Sequence, residues 1–311
     1  MTIIGTRPAT TTGPGPSPQL DSRWPVESLW PREASPLDGE VRGGVLPANL
    51  RARYAAPLSI PLRTDRPAFV ANFVTTLDGV VALDRIGASG GREISGGFEP
   101  DRFVMGLLRA TADAVLVGAG TVRASRTHGW TPAHAHPASF DGYARWRRDL
   151  GLTAASPATV IVTASGALEP AHLPTDPTTP VIIVTTESGA RRLRRAPRVD
   201  HGESAAGSGE DSIPVGAIVA FLHARGFRLV VAEGGPGLFG ELLAAHVVDE
   251  VFLTLAPQLA GRSAASTRLS LVEDVALAPA APWGRLRSVM RSNDHLFLRY
   301  ELSHPRREDL P

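Results

Sequence analysis

Two carboxylates, one arginine and two glycine-rich turns are the groups in this chain whose types and spacing suit chemistry. Asp78 lies in Thr75-Thr76-Leu77-Asp78-Gly79, where the Asp-Gly pair demands a tight turn directly after a β-rich run. Glu233 ends a second such run, Val230-Val231-Ala232-Glu233, and precedes Gly234-Gly235-Pro236-Gly237 and a helix-period stretch. Residues without side chains let a backbone approach a pyrophosphate, whose charge then meets the N–H groups and positive dipole end of the helix. Gly235 to Gly240 matches G-x-G-x-x-G, but the ordinary fingerprint expects an acid at the end of the next strand. Here that strand ends Leu255-Ala256-Pro257, and Asp249 and Glu250 open it instead. A tight strand-to-helix turn without a ligand is the alternative. A second turn, Gly118-Ala119-Gly120-Thr121-Val122, also follows a buried run. Two such turns at the carboxyl edge of one parallel sheet point to one long cofactor laid across that edge. A third run ends at Thr163, whose hydroxyl suits a ribose or phosphate contact. Arg109 closes a helix: it either serves as a dipole partner or, if it faces the cleft, grips a phosphate through its planar fork.

Missing residue types exclude as much. The 311-residue chain has no cysteine, which removes thiol nucleophiles, thiolate zinc sites, iron–sulfur ligation and disulfides. It has no lysine, all 32 cationic side chains being arginine, which removes Schiff-base and Walker-A lysines. His128, His134 and His136 lie in a polar stretch without accompanying acid ligands, so a surface loop and no metal site are expected. A net charge of +1 and 43% hydrophobic residues describe a chain able to bury a core, with no charge bias toward nucleic acid or anionic membrane. No apolar run is long enough to span a bilayer and no basic-flanked apolar leader opens the chain, so a cytoplasmic protein is expected.

Alternating strands and helices must position these groups. Strand patterns fall at 68–74, 114–117, 159–162, 181–184, 228–232, 250–255 and 295–301, with helix-period stretches at 100–110, 215–225 and 238–245 between them. Strands separated by helices predict an α/β fold with a mostly parallel central sheet, helices on both faces and an antiparallel C-terminal edge. Residues 1–53, rich in Pro, Thr and Gly, read as a tail without regular structure, in which Trp24 and Trp30 are available to dock. Residues 54–303 form the folded domain and 304–311 a short polar tail. The polar stretches 125–155 and 191–213 are expected as surface excursions.

On these residues the chain resembles the riboflavin-pathway pyrimidine reductases, which include the C-terminal half of the bifunctional deaminase-reductase and are similar in fold to dihydrofolate reductase. The resemblance runs from about Tyr54 to Glu301. It rests on Asn72 to Gly79, on Leu107 to Val122, on Glu233-Gly234-Gly235-Pro236, and on Asp249-Glu250 followed by Ala256-Pro257-Gln258-Leu259-Ala260-Gly261. It implies an NADPH-dependent reductase that delivers a hydride to C1′ of 5-amino-6-(5-phosphoribosylamino)uracil or a closely related pyrimidine, opening the sugar to a ribityl chain. It implies a cofactor held by Gly118, Ala119, Gly120, Thr121, Val122, Thr163, Gly234, Gly235, Pro236 and Gly237. The substrate would lie near Asn72, Ser89, Ser95 and Arg109, with Asp78 and Glu233 as the catalytic carboxylates that orient the pyrimidine or handle its proton. A homodimer is usual for the family.

The chain departs from that pattern in three places. Many bifunctional members carry lysine where this chain has Asn72, so a mechanism that needs the amine cannot operate. The zinc signature of the deaminase half cannot be written without cysteine. After Thr121 the family often continues with an acid, whereas this chain reads Arg123-Ala124-Ser125. The alternatives are a dihydrofolate-reductase-type reduction of a pterin and a catalytically silent nucleotide-binding module.

Overall fold

Runs such as Ala68–Thr75 and Leu229–Ala232 are apolar on both alternating faces, which fits strands covered from above and below. They form the middle of a ten-stranded sheet. The structure is a computed structural model that describes residues 25–31, 39–83, 90–125, 129–169, 179–195, 205–207, 212–263, 266–279 and 281–303, with single positions between 171 and 176.

The elements run β1 (Glu27–Pro31), β2 (Val41–Gly44), α1 (Ala48–Arg51), β3 (Leu58–Pro61), β4 (Ala68–Thr75), β5 (Val80–Ala82), α2 (Gly91–Ile94), α3 (Glu99–Thr111), β6 (Ala114–Gly118) and α4 (Ala119–Ala124). They continue with α5 (Pro132–Ala135), a 3-10 turn at Pro137–Ser139, α6 (Phe140–Asp149), β7 (Ala158–Thr163), β8 (Val181–Thr186), α7 (Glu187–Arg195), β9 (Ala205–Gly207) and α8 (Val215–Ala224). The remainder is β10 (Leu229–Ala232), α9 (Pro236–Ala244), β11 (Val248–Leu255), β12 (Leu269–Ser270), β13 (Gly284–Ser292) and β14 (His295–Leu302).

The strand order is β1-β13-β14-β11-β4-β10-β6-β7-β8-β9. From β11 to β9 every pairing is parallel, and β14, β13 and β1 continue the sheet antiparallel. Two small antiparallel pairs, β2 with β3 and β5 with β12, lie outside it.

Alternation along the strands assigns the faces. Val70, Leu229, Val231 and Phe252 join the core under α3 and α6, whereas Phe69, Ala71, Val230 and Ala232 join the core under α8 and α9. Asn72 pairs in register with Phe252, Val74 with Thr254, and Ala232 with Ala71. Asn72, Thr254 and the residue after Ala232, Glu233, therefore share the α3 face at the carboxyl ends of their strands.

Helix α3 begins with Pro100 and the acids Glu99 and Asp101, as a helix start favours, and buries Phe103, Val104, Leu107 and Leu108. Because α3 leads directly into β6, parallel to β4 and β10, its N-terminus lies toward the carboxyl edge of the sheet. At its other end Arg147 of α6 donates to the carbonyls of Ala112 (2.8 Å), Ala110 (3.3 Å) and Arg109 (3.4 Å), capping the helix from the core. Gly106 admits Tyr143 of α6 against α3, since a Cβ there would lie 2.7 Å from the tyrosine ring.

Four expectations about the elements are corrected. The segment read as a tail contributes folded elements from residue 25 onward: β1 pairs with β13, and Val26, Leu46 and Leu50 are core residues. Short Pro-flanked pieces carry no periodicity, so only their tertiary partners reveal them. Residues 1–24, including Trp24, and the tail 304–311 lie outside the described residues, as does the side chain of Trp30. The stretch 125–155 is no excursion either, because Trp130, Tyr143 and Trp146 are buried and Trp146 Nε1 donates to Thr111 Oγ1 at 3.1 Å. Of 191–213, residues 191–195 extend α7 and 205–207 form β9 at the far edge. The antiparallel region is also wider than one strand: β14 is interior, and β1 from the N-terminal segment is outermost. The arginine-studded β13, with Arg285, Arg287 and Arg291, hid its strand character among charges.

Burial holds the Arg147 pKa down to about 10, and the residue still carries its charge at neutral pH. Arg147→Met should leave these carbonyls without a donor and lower the unfolding free energy by about 2–4 kcal/mol, read from urea denaturation.

Candidate functional site

Arg109 sits in the last turn of α3, yet side chains on a helix lean toward its N-terminus, and this one runs back to the carboxyl edge. There its Nε donates to Glu233 Oε1 at 2.9 Å and its Nη2 to Oε2 at 2.6 Å. Its Nη1 donates to the carbonyls of Thr131 (3.1 Å) and Gly129 (3.3 Å). The two side chains are 5% and 6% exposed, a buried bidentate ion pair. Arg109 is thus neither a dipole cap nor a guanidinium with an open fork, and Glu233 is buried with both oxygens engaged.

Asp78 is placed differently. Its Oδ1 accepts from Thr76 Oγ1 at 2.5 Å and from Ala260 N–H at 3.1 Å, and its Oδ2 accepts from Gly261 N–H at 2.6 Å. The exposed carboxylate ties the β4–β5 turn to the 256–261 loop. The Thr76 hydroxyl and then the two amides hold its pKa down to about 2. A group so firmly ionised anchors a loop well and handles protons poorly at neutral pH.

The two glycine turns meet. Gly118 N–H donates to Gly234 O at 2.8 Å, Glu233 N–H donates to Leu116 O at 3.0 Å, and a Cβ on Gly118 would lie 3.3 Å from Gly235 N. Gly234 has φ +117°, open to glycine alone. No side chain caps α9 at its N-cap Gly235, nor α4 at Gly118. Gly240, the last glycine of the G-x-G-x-x-G reading, serves packing: a Cβ there would lie 2.6 Å from Glu273 O. Thr121 flanks the cradle, within 3.3 Å of a Cβ on Gly235, and Gly120 is open. Val122 and Ala119 instead point into the core with Val115 and Val117, so their side chains are withdrawn from the edge. The Thr163 hydroxyl accepts from Gly166 N–H at 3.2 Å, shaping the loop after β7.

Of the remaining expected residues, Asn72 is half-buried on the α3 face and Ser95 is buried at the end of α2. Ser89 lies outside the described residues. A carboxyl group that sequence reasoning missed stands beside them. Asp101, in the first turn of α3, is 5% exposed and lies beside the hydroxyls of Thr254 and Ser95, the latter donating to the Arg92 carbonyl at 3.3 Å. Burial raises its pKa to about 6, against the opposing pull of the two hydroxyls, and Glu233 nearby pushes in the same direction as burial. An acid in a first turn reads as a dipole partner, and no signal in the sequence marked this one as buried.

Among the described residues no cluster of three His, Asp or Glu side chains could hold a metal ion. His136 is not in a loose loop: its Nε2 lies 2.5 Å from Glu99 Oε1 and its Nδ1 2.9 Å from Ser139 Oγ. His128 lies outside the described residues, and no helix among them is long and apolar enough to cross a membrane.

The chain is similar to proteins already known. Residues 67–282 match a family model described as the RibD C-terminal domain. A 2,5-diamino-6-ribosylamino-4(3H)-pyrimidinone 5′-phosphate reductase of Archaeoglobus fulgidus is 26% identical over 197 residues, 63% of this chain and 83% of that protein. Its namesake from Methanothermobacter thermautotrophicus is 27% identical over 202 residues, 65% of this chain and 83% of that protein. A pyrimidine reductase-like protein from Corynebacterium diphtheriae superposes with a TM-score of 0.59 at 22% identity, over 77% of this chain and 93% of that one. A deaminase/5-amino-6-(5-phosphoribosylamino)uracil reductase from Thermotoga maritima gives a TM-score of 0.54 at 22% identity, over 76% of this chain and 57% of that one. These two structures share the fold.

Glu233→Gln should strand the Arg109 charge in the interior and lower stability by about 3 kcal/mol, measured by urea denaturation. Asp78→Ala should release the Ala260 and Gly261 amides, whose hydrogen exchange should quicken about tenfold or more. In the wild type this tether should be fully present above the ordinary value of 3.8 and be lost as pH falls through about 2, because the folded-state pKa is lowered.

Proposed function

The chain belongs to the RibD C-terminal domain family, and from that premise we propose that it is a nicotinamide-dependent pyrimidine reductase of riboflavin biosynthesis, with NADPH as its cofactor. The observation that carries the reading is the junction of the two glycine turns, where Gly118 N–H meets Gly234 O beside uncapped α9 amides. That donor set fits a pyrophosphate. Gly234, Gly235 and Gly237 would hold it, with Gly118, Gly120 and Thr121 on the opposite side and the loop after Thr163 beyond. Bound there, a reduced nicotinamide would supply the hydride, which is the chemistry of the cofactor.

The chain's own contribution is placement. The Arg109–Glu233 pair fixes the floor of the cleft, and Glu233 can turn a carboxylate edge to a pyrimidine N–H without leaving its arginine. Asn72 offers an amide to the same ring, and Ser95 and Asp101 border it. Asp78 keeps the 256–261 loop in place at the rim, where Gln258 donates to the carbonyl of Ile94 next to Ser95. A substrate held this way meets the hydride source in a water-poor cleft, which accounts for much of an enzyme's advantage in such reactions. The substrate is a phosphoribosylamino-pyrimidine, either the uracil form or the 2,5-diamino form for which the archaeal relatives are named. A homodimer belongs to the same reading and rests on the family resemblance.

Purified protein should oxidise NADPH only when one of these two pyrimidines is added, should prefer NADPH to NADH, and should keep its rate in EDTA. Absence of NADPH oxidation with both pyrimidines would overturn the reading. Gly235→Val should raise the NADPH dissociation constant at least about tenfold, since its branches would fill the cradle beside Thr121. Fluorescence titration measures this, with a thermal melt to establish that the variant is folded.

A further inference from the structure

We propose that Asp101 is the proton donor of the reaction, the carboxylic acid that protonates the ribosylamine ring as it opens. The inference rests on the reductase reading and names a catalytic residue within it. Opening the sugar during reduction requires a proton as well as a hydride. The proton goes to the ring oxygen O4′, whose bond to C1′ breaks and which keeps the electron pair of that bond. A bound reduced nicotinamide would supply the hydride that takes the vacated position on C1′ and would itself be left oxidised, while the Asp101 carboxylate recovers its proton from water. A side chain that serves this step must hold a proton near neutral pH and lie beside the hydride site.

Elimination among the carboxyl groups of the cleft leads to Asp101. Asp78 is exposed, accepts three hydrogen bonds and stays ionised down to about pH 2. Glu233 shares both oxygens with a buried guanidinium that cannot give up its charge. Asp101 alone of the three combines burial with neutral partners, the hydroxyls of Thr254 and Ser95. Its position is also right. Thr254 pairs with Val74 on the strand next to it, two residues beyond Asn72, so the acid hangs over the same face of the sheet as Asn72 and Glu233. Reaching the site from the first turn of α3, it is carried by a helix that Arg109 and Arg147 lock from the other end.

The charged groups that face it are few. Glu233, from the end of β10, favours the protonated form, and Arg102, on its own helix, opposes it. From β14, His295 reaches the Ser95 carbonyl through Nε2 at 3.2 Å, and burial keeps its pKa below the usual histidine value, so it adds no charge at neutral pH. The buried hydroxyls let Asp101 exist in either state, as donor or acceptor, which a proton donor that cycles must do.

Infrared difference spectra test the protonation without cofactor or substrate. Wild-type protein minus Asp101→Asn should show a carboxylic-acid carbonyl band that disappears as pH rises through about 6, and absence of that band would overturn the proposal. Turnover provides the second arm. With wild type active, Asp101→Asn should lower kcat by about 100-fold or more, with little change in the NADPH dissociation constant. The wild-type fall in kcat at rising pH should vanish in the variant, while Asp101→Glu should restore part of both. Wild-type-like turnover by a folded Asp101→Asn variant would remove the residue from the chemistry and leave the reductase reading standing. Inactive wild type with a titrating Asp101 band would instead defeat the reductase reading, and the donor role with it.

Discussion

Two opposite charges taken out of water must find each other, and in this fold the meeting of Arg109 and Glu233 joins a helix to a strand end across the candidate site. Both carriers matter. Arg109 belongs to α3, whose first turn holds Asp101, and Glu233 opens the turn that holds Gly234 and Gly235. The same guanidinium fastens the segment at Gly129 and Thr131, which leads into α5 and α6. Moving either partner would shift a wall of the cleft.

The two edges of the sheet are treated in opposite ways. At the amino edge, backbone donors are stapled by acids. Asp113 accepts from the Arg228 and Leu229 amides and pairs with Arg42, and Asp249 accepts from the Phe69 amide and pairs with Arg66. At the carboxyl edge, the turns after β6 and β10 are left without side-chain caps. Rigidity at one edge supports openness at the other, as a site with preorganised donors requires. Having no lysine, the chain builds its buried cationic sites from arginine, as in Arg147 at the end of α3 and in Arg299, which pairs with the buried Glu250 and lies over Phe252. The planar fork suits such multiple contacts better than an ammonium group.

Three acids near the cleft differ because their surroundings differ. The Thr76 hydroxyl and then two loop amides keep Asp78 ionised, a guanidinium engages Glu233, and burial above all raises Asp101. Environments that push like groups apart are how one site comes to hold both a fixed charge and a mobile proton. The division also leaves Asn72 a simpler part. With no amine at that position, the proposed reductase reading leaves Asn72 the placing of the ring.

Much of this was legible in the chain itself. Continuous apolar runs such as Val230-Val231-Ala232 could only be strands buried on both faces, and the glycines after them, with Asp78 and Glu233, marked the carboxyl edge from local pattern alone. Local pattern suffices there because burial on both faces and backbone openness are written in single residues and their neighbours. Tertiary structure alone decided what the charged groups do. Arg109 and Glu233 stand 124 positions apart, so nothing local says that they neutralise each other. Asp101 looks like any acid at a helix start until Thr254, from a distant strand, and Ser95 close over it. The segments 39–53 and 129–149 carry too little periodicity to announce that they fold onto the sheet. A side chain's ionisation and its burial depend on what long-range packing brings within a few ångströms, and that information exists only once the chain has folded.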